Sequence, residues 1–371
     1  MLVGVPKEIK QSEFRVGLTP AAVGEYLAHG HEVLVESGAG AGIGATDAIY
    51  RAAGAKIATD AAEVFARAGM IVKVKEPQLV EWKQLRPGQI LFTYLHLAAD
   101  APQARGLMAS GATAVAYETV TDARGHLPLL APMSEVAGRL SVQAAATALQ
   151  KATGGRGILL GGVPGVQPGK VVIIGGGVVG THAASVAAGI GATVTILDRS
   201  LPRLRELDDM FEGRVVTRYA TRGALAEEVA GADAVIGAVL VPGATAPKLV
   251  TRAMLGTMKP GAVLVDVAID QGGCFETSHP TTHLDPTFIV DGIVHYCVAN
   301  MPGAVPLTSS DALNHATLPF GLALADHGLA AIAADPHLRD GLNVHAGRIT
   351  HKAVAESLNL EFADPDRLIA A

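Results

Sequence analysis

Three glycines with a fixed spacing carry the clearest chemical signal in the sequence. Gly175, Gly177 and Gly180 directly follow the apolar run 171–174 and precede an alanine-rich stretch typical of a helix. In such a loop the first glycine makes a tight turn, the second lets the backbone approach a pyrophosphate, and the third lets the helix pack against the strand. The first amides of the helix then face the anion. The spacing therefore predicts a dinucleotide-binding loop.

An acidic residue follows this loop where a dinucleotide site needs one. Asp198 ends the predicted strand 193–198, and a carboxylate at that point accepts hydrogen bonds from ribose hydroxyls. Because its charge disfavours a 2′-phosphate, the sequence predicts NAD as the cofactor. Arg199 leaves NADP as the alternative, since a basic side chain can pair with that phosphate.

Four polar residues follow predicted strands, where ligands of α/β sheets bind. Arg15 lies in the loop after the first strand, Lys75 follows the predicted strand 70–74, His96 ends the run 89–96, and Asp270 follows the run 262–269. Two cations suit a substrate carboxylate, and the planar fork of arginine suits it best. A histidine suits proton transfer near neutral pH. A carboxylate beside it would hold a substrate ammonium or orient water, so an oxo acid is the expected product.

The residues alone leave alternatives open at several of these positions. Lys73 and Lys75 share a face because strand side chains alternate with a period of two, and so do Tyr94 and His96. His96 among apolar neighbours is also compatible with a structural histidine, and Asp270 with a turn-forming acid. Cys274 lies near the expected site, but no His and acid pattern marks it as a nucleophile, so a structural role is predicted. No cluster has metal-ligand spacing, and no metal is expected.

The elements that would position these residues alternate between strands and helices. Strands are predicted at 2–6, 31–36, 70–74, 89–96 and 112–118, and then at 171–174, 193–198, 215–219, 234–239, 262–269 and 293–298. Helices are predicted from Thr19-Pro20 to Ala28, and at 60–68, 99–110, 134–151, 321–334 and 344–358, with a glycine-rich loop at 154–169. This alternation indicates parallel sheets covered by helices. The terminal helices, with no sheet of their own, are expected to return to the first domain.

The fold class is therefore α/β, with a Rossmann-type dinucleotide-binding domain and a second doubly wound α/β substrate domain. A chain of 371 residues favours two domains. The predicted boundaries give a substrate and catalytic domain of 1–129 and 305–371, and an NAD-binding domain of 130–304.

Composition restricts the partners. The net charge of −6 argues against nucleic acid. No uncharged apolar run of about 18 residues predicts a membrane span, and the first residues lack a signal core. Two cysteines indicate a reducing cytoplasm. The low charged fraction of 17% favours surface buried in an oligomer.

Several long segments resemble bacterial L-alanine dehydrogenases, in the family that includes the NAD-binding subunit of transhydrogenase. The segments are 4–8 (GVPKE), 13–16 (EFRV), 72–77 (VKVKEP), 92–97 (FTYLHL), 117–120 (YETV), 131–139 (APMSEVAGR), 161–165 (GGVPG), 237–243 (GAVLVPG), 266–276 (DVAIDQGGCFE) and 298–302 (VANMP). The resemblance covers the chain from end to end. It implies NAD-dependent oxidative deamination of L-alanine to pyruvate and ammonium, reversible as reductive amination.

The resemblance also implies roles for individual residues. It makes His96 the acid/base and Asp270 its catalytic partner, and it selects Lys75 rather than Lys73. Substrate binding is implied for Arg15, Lys75, Tyr94 and Asn300. NAD binding is implied for Ser134, Gly175, Gly177, Val178, Val179, Gly180, Asp198, Val239, Leu240, Val267, Ile269, Asp270, Asn300 and Met301. A cleft between two domains and a cytoplasmic homohexamer are implied as well.

Two positions depart from the pattern of the family. Ala220 stands where many relatives have a serine that touches the adenosine end. Ala323 stands where some relatives have a glutamate that binds a metal together with a residue matching His327, which argues against that metal here. The alternatives to an alanine dehydrogenase are the transhydrogenase component, a lysine or saccharopine dehydrogenase relative, and an NAD-sensing module. The size of the substrate pocket, and so the preference for alanine over serine, glycine or 2-aminobutyrate, is not encoded in these motifs.

Overall fold

The computed structural model describes residues 1–239 and 246–369. The chain divides into two units, one formed by 1–133 with 303–371 and the other by 134–302. The sequence placed the boundaries at 129/130 and 304/305, whereas the structure places them at 133/134 and 302/303. The C-terminal segment thus returns to the first unit.

The strands, in chain order, are β1 (Leu2–Val5), β2 (Glu32–Glu36), β3 (Lys56–Ala58), β4 (Met70–Val72), β5 (Ile90–Thr93), β6 (Thr113–Ala116), β7 (Lys170–Ile174), β8 (Thr193–Asp198), β9 (Val216–Tyr219), β10 (Ala234–Gly237), β11 (Val263–Asp266), β12 (Thr287–Val290), β13 (Ile293–Tyr296), β14 (Leu342–His345) and β15 (Arg348–Ile349). The helices are α1 (Pro20–Ala28), α2 (Asp47–Ala52), α3 (Ala61–Arg67), α4 (Leu79–Trp82), α5 (Ala101–Ser110), α6 (Ala131–Ala148), α7 (Val178–Gly189), α8 (Leu201–Phe211), α9 (Arg222–Gly231), α10 (Arg252–Leu255), α11 (Pro306–His327), α12 (Leu329–Ala334), α13 (Pro336–Asp340), α14 (Lys352–Leu358) and α15 (Pro365–Ile369).

Local side-chain chemistry explains where the helices begin. The Thr19 side chain accepts a hydrogen bond from the amide of Ala22, and Pro20 opens α1, as the sequence predicts. Asp60 caps α3 in the same way. Among the described residues, no helix combines the length and the apolar content that crossing a bilayer requires.

The sheet of the first unit contains eight strands among the described residues, in the order β15-β14-β6-β5-β4-β1-β2-β3. The strands from β1 to β6 are parallel, which confirms the predicted α/β arrangement, but β14 is antiparallel to β6 and to β15. The predicted helix 344–358 is therefore wrong in its first part. Ala346 and Gly347 both have positive φ, so the chain turns there into a hairpin that buries Val344 and Ile349. Only α14 remains of that helix.

The sheet of the second unit has the order β12-β13-β11-β10-β7-β8-β9 among the described residues. All neighbours are parallel except β12 and β13, and β12 was not predicted. Alternate residues face opposite helical layers: Val171 packs in one cluster with Ala183 of α7, and Val172 packs in another with Val229 of α9. The strand order reverses at β7, and such a reversal forms a ligand-binding crevice at the carboxyl ends of the strands.

Candidate active site

Arg15 is the candidate substrate cation that follows β1, and it is only 2% exposed. Its Nε and Nη2 atoms donate to the two carboxylate oxygens of Glu13 at 2.7 and 2.6 Å, while Nη1 lies 2.9 Å from the Met133 sulfur. Burial opposes the charge of Arg15, but the Glu13 carboxylate outweighs it and raises the pKa of the guanidinium. The arginine is therefore held in place as a permanent cation.

The structure separates the two lysines that the sequence left as alternatives. Because β4 ends at Val72, the alternation of strand faces does not continue through them. Lys73 is 0% exposed, and its Nζ donates to Glu8 at 3.0 Å and to Glu81 at 2.8 Å. Lys75 is only partly buried, and its amide lies 3.4 Å from the carboxylate of Glu8. Lys73 therefore belongs to a buried ion-pair network, and the substrate-binding role of Lys75 stays a prediction.

His96 and Tyr94 stack on each other, with ring centroids 5.7 Å apart and planes inclined by 5°. The prediction that His96 ends a strand is wrong, because β5 stops at Thr93 and His96 has a left-handed φ of 50°. The Tyr94 hydroxyl donates to the Leu129 carbonyl at 2.6 Å, and burial raises the pKa of Tyr94, so that the hydroxyl stays protonated. The His96 ring is 48% exposed, which leaves it open to a substrate.

Glu118 is a functional candidate that the sequence reasoning missed. Its carboxylate accepts hydrogen bonds from the amide of Leu95 at 3.2 Å and from the amide of His96 at 2.6 Å. The Nδ1 atom of His96 lies 3.9 Å from Oε1 of the same carboxylate. Glu118 thus holds the unusual backbone of His96. Its position could have identified it, because Glu118 is the last residue of the predicted strand 112–118 and ligand-binding residues are expected at the ends of such strands.

The first unit brings three of the predicted residues together. Tyr94 stacks on His96, and the charge of Arg15 partly offsets the rise in the pKa of Tyr94 that burial causes. The amide of Tyr94 donates to the carbonyl of Val74 at 3.2 Å, next to Lys75 in the chain. A guanidinium and an imidazole thus lie near one tyrosine, and these two groups can bind a carboxylate and move a proton.

Asp270 and Asn300 come together in the second unit. The predicted strand 262–269 is too long: β11 ends at Asp266, and Asp270 is exposed on the short helical turn Ile269–Gln271. The amide of Asn300 donates to Asp270 Oδ2 at 3.3 Å, and Asn300 itself has a left-handed φ of 58°. The Asp270 carboxylate is therefore oriented by backbone while it faces solvent.

The glycine loop has a geometry that fits a pyrophosphate. Gly175 has a φ of 106°, which side chains rarely tolerate. A Cβ added at Gly180 would lie 1.8 Å from the Gly175 carbonyl oxygen, so this position needs glycine for the helix to approach the strand. At Gly177, which caps α7, an added Cβ would meet no atom of the described residues within 4 Å. The space beside Gly177 and the helix amides suits an anion.

Asp198 closes this loop at the end of β8. Its Oδ2 accepts a hydrogen bond from the amide of Gly176 and its Oδ1 accepts one from the amide of Ser200, both at 2.7 Å. Each carboxylate oxygen has a further lone pair, so ribose hydroxyls can still bind. Arg203, which the sequence reasoning did not single out, donates to the Gly176 carbonyl at 2.7 Å and to the Thr181 hydroxyl at 2.8 Å.

The remaining predicted cofactor contacts differ in exposure. Val178 is exposed at the start of α7; partly buried residues are Ser134, Val179, Val239 and Val267; Ile269 and Met301 are buried. Leu240 lies outside the described residues.

Cys274 and Cys297 are buried free thiols, and burial raises the pKa of both. Buried, protonated thiols agree with the structural role predicted for Cys274.

Comparison with known proteins places both units in one family. The family model described as Alanine dehydrogenase/PNT, N-terminal domain, matches residues 4–137, and the model for the C-terminal domain matches residues 141–352. The alanine dehydrogenase of Halomonas elongata is 59% identical over 370 residues, with 100% of each chain covered. The chain belongs to the alanine dehydrogenase family. The enzyme of that name from Mycobacterium tuberculosis strain H37Rv is 54% identical over 371 residues, again with 100% of each chain covered.

Solved structures extend the likeness from sequence to fold. An L-alanine dehydrogenase structure with 52% identity has a TM-score of 0.94 and covers 97% of this chain and 99% of its own. The structure of a transhydrogenase from Sinorhizobium meliloti has 26% identity and a TM-score of 0.82, and covers 95% of this chain and 100% of its own. This member of the alanine dehydrogenase family therefore has the two-domain α/β fold that the sequence predicted.

Proposed function

We propose that the protein catalyses the NAD-dependent oxidative deamination of L-alanine to pyruvate and ammonium, and the reverse reductive amination. The observation that carries this proposal is the match to alanine dehydrogenases over the whole chain, at 59% identity to the Halomonas elongata protein. The geometry supports it, because the first unit stacks His96 on Tyr94 and holds the buried Arg15 close enough for its charge to act on the same tyrosine. The second unit presents an acid beside a dinucleotide-type sheet.

Substrate binding is the task of the first unit. Arg15 is buried, charged and fixed by Glu13, so it can offer a preorganised cation to the carboxylate of alanine. Lys75 adds a second cation at the end of the neighbouring strand. Together they neutralise the carboxylate and fix the direction of the Cα–H bond. Tyr94 completes the substrate contacts proposed for this unit, and Asn300 is the substrate contact proposed for the second unit.

Proton transfer is the task of His96. NAD⁺, when bound, accepts the hydride from the Cα atom of alanine, and the amine becomes an iminium. His96 takes a proton from the water that attacks this carbon and returns it when ammonium leaves. Asp270 stabilises the positive charge on the substrate nitrogen. The Tyr94 stack and the Glu118 carboxylate keep the imidazole in place for both steps.

The second unit binds the cofactor in this proposal. The loop of Gly175, Gly177 and Gly180 accepts the pyrophosphate, and Asp198 selects NAD over NADP by binding the ribose hydroxyls. Asn300 and Met301 would hold the nicotinamide end of the cofactor. Further contacts come from Ser134, Val178, Val179, Val239, Leu240, Val267 and Ile269. Ala220 removes one hydrogen bond at the adenosine end, and Ala323, in place of a glutamate that would bind a metal together with His327, argues against a metal there.

We also propose that the enzyme is a cytoplasmic homohexamer. Two buried free cysteines fit a reducing compartment. Large apolar side chains on the surface of the second unit, Leu159 at 68% and Val166 at 62% exposure, fit a face that another subunit covers. Light scattering coupled to size exclusion measures the subunit number directly, and a monomeric mass contradicts this part.

The experiment that tests the reaction mixes the purified protein with NAD⁺ and L-alanine at mildly alkaline pH and follows NADH absorbance. Rapid NADH formation with L-alanine, but not with L-lysine or with NADP⁺, is the expected result. Protein that binds NADH but turns over no amino acid contradicts the proposal and favours a transhydrogenase-like or sensing role.

The role of His96 has its own test. The change His96→Ala should lower kcat for L-alanine at least about 100-fold, because general acid–base catalysis contributes about that much or more. NADH affinity, measured by fluorescence titration, should stay within about twofold if the variant keeps its fold. His126→Ala is the matched control, since His126 is an exposed histidine of the same unit that pairs only locally with Asp122. Wild-type turnover in His96→Ala removes the proposed role.

A further inference from the structure

Asp266 is a fully buried carboxylate at the end of β11, with 0% exposure. Its oxygens accept hydrogen bonds from the amide of Cys274 at 3.0 Å, from the amide of Phe275 at 3.2 Å and from the hydroxyl of Ser278 at 2.6 Å. The buried Asp266 carboxylate thus holds residues 274–278, which form the last part of the loop that follows β11. Such charge-assisted bonds are roughly twice as strong as neutral ones.

Lys248 holds the same loop from its carbonyl side. Its Nζ atom donates to the carbonyl oxygens of Gly272 at 2.5 Å, Gly273 at 2.9 Å and Phe275 at 3.1 Å. Unlike Asp266, Lys248 is exposed to solvent. An ammonium with three donors, each directed at a peptide carbonyl, uses the full capacity of the group. The loop is therefore clamped by opposite charges, one on its N–H groups and one on its C=O groups.

Asp270 lies on this loop, between Asp266 at the end of β11 and the segment 272–275 that Asp266 and Lys248 contact. After the turn Ile269–Gln271 the chain reverses through Gly272 and Gly273, with φ values of 87° and 75°. A Cβ at Gly273 would lie 2.6 Å from Asp266 Oδ2, so the backbone approaches the carboxylate as closely as glycine permits. The amide of Asn300 contacts the Asp270 carboxylate itself, whereas Asp266 and Lys248 contact the backbone just after the turn that carries Asp270.

We propose that Asp266 and Lys248 are positioning residues that set the orientation of Asp270 by clamping its loop from both sides. The inference rests on the proposed function, because Asp270 acts on the substrate nitrogen only in that reaction. Neither residue needs to touch the substrate. Their effect passes through the peptide groups of 272–275 to the turn that carries Asp270.

Lys248 gives the cleaner test, because an exposed side chain can be changed without loss of the fold. Lys248→Ala should lower kcat for L-alanine about 5- to 20-fold, and Lys248→Arg, which keeps the charge and several donors, should recover at least half of the wild-type value. Lys259→Ala is the matched control: Lys259 is a lysine of the same unit whose Nζ pairs with Asp233 at 3.0 Å, away from the loop. This control should keep kcat within about twofold.

Hydrogen exchange provides a readout without turnover. The amides of 271–274 donate within the loop or to Asp266, so they should exchange at least about tenfold faster in Lys248→Ala than in the wild type or in Lys259→Ala. Asp266→Asn, which replaces one acceptor oxygen by a donor, should give the same pattern more strongly. Ser278→Ala, which leaves the two amides and the thiol of Cys274 as donors to Asp266, should give a smaller change.

Four outcomes overturn the inference: unchanged kcat in Lys248→Ala, no recovery in Lys248→Arg, an equal loss in Lys259→Ala, or unchanged exchange of the 271–274 amides. A wild-type protein that does not oxidise L-alanine overturns the proposed function instead. In that case the exchange measurement still decides whether the two charges order the loop.

Discussion

In the first unit, buried carboxylates hold the candidate substrate-binding cations, whereas in the second unit glycines shape the candidate cofactor loop. Glu13 fixes Arg15, and Glu8 binds both Lys73 and the backbone that leads to Lys75. In the glycine loop the tightest approach, at Gly180, is between backbone atoms. The first kind of site is damaged when a charged partner is removed, and the second is damaged when a carbon atom is added.

The difference has a physical reason. A substrate carboxylate requires cations, and a cation in a protein interior requires an anion close by, since an unpaired buried charge costs several kcal/mol. A pyrophosphate on a helix N-terminus requires only amides and room for a close approach. The first region therefore depends on buried ion pairs and the second on close backbone packing. Different substitutions can test these two dependences.

The largest effect is expected for Lys73→Met. This change leaves the buried Glu8 and Glu81 carboxylates without their shared cation, and the free energy of unfolding should fall by about 3–5 kcal/mol. Equilibrium urea unfolding followed by circular dichroism measures it. Lys56→Met is the control, because Lys56 forms an ion pair with Glu32 in which both side chains are more than half exposed. A loss below about 1 kcal/mol in Lys73→Met would show that the network contributes little.

We also expect the stability of Lys73→Met to depend on pH. In the wild type, burial raises the pKa of Glu8 and the Lys73 charge lowers it, with burial dominant. Removing Lys73 raises the pKa of Glu8 further, so the folded variant binds a proton that the unfolded chain releases at neutral pH. Stability then falls as pH rises through this range. The deficit of Lys73→Met against the wild type should therefore narrow between pH 7 and pH 5, and a deficit that widens contradicts the explanation.

Most of the fold could be predicted from the sequence, because apolar runs and helix caps are local signals. Thr19 and Pro20 predicted the start of α1, and the six predicted strands of the second unit all exist. The hairpin of β14 and β15 could not be predicted, because its strands are short and β14 pairs with β6, far away in the chain. β12 was missed for a related reason: it pairs with β13 by a short reversal and is only partly buried.

The candidate site shows which features cannot be predicted from the local sequence. Residue type and predicted strand ends selected Arg15, His96 and Asp270 as candidates, although β5 ends at Thr93 and β11 at Asp266. The choice between Lys73 and Lys75 depends on where β4 ends, and period-two alternation contains no information about that. Lys73 is selected for the core by Glu8, which is distant in sequence, and such pairing is a property of the folded chain.

In the second unit, adding a methyl group should lower the stability, as removing a charge should do in the first unit. Gly180→Ala would place a Cβ 1.8 Å from the Gly175 carbonyl oxygen, so α7 must move away from β7. We expect a loss of about 3 kcal/mol in unfolding free energy, the upper range for overpacking, together with loss of NADH binding.

Gly177→Ala is the matched control for that change, because its Cβ meets no described atom within 4 Å. Its stability should stay within about 1 kcal/mol of the wild type, the typical cost of alanine at a helix N-cap. NADH affinity, from fluorescence titration, should still fall, since the methyl group occupies the space for the pyrophosphate. Wild-type affinity in Gly177→Ala would mean that the phosphates bind elsewhere.

The smallest effect is expected for Tyr94→Phe, which separates the ring of Tyr94 from its hydroxyl. The hydroxyl donates to the buried Leu129 carbonyl at 2.6 Å, so its removal should cost about 1 kcal/mol of stability. The ring still stacks on His96, and kcat/KM for L-alanine should therefore change less than about threefold. Tyr117→Phe is the matched control, because the Tyr117 hydroxyl donates to the Lys73 carbonyl at 3.0 Å in an equally buried position. If kcat/KM falls more than about tenfold in Tyr94→Phe but not in Tyr117→Phe, the hydroxyl itself contacts the substrate, and the first unit then binds alanine with a neutral donor as well as with the cations Arg15 and Lys75.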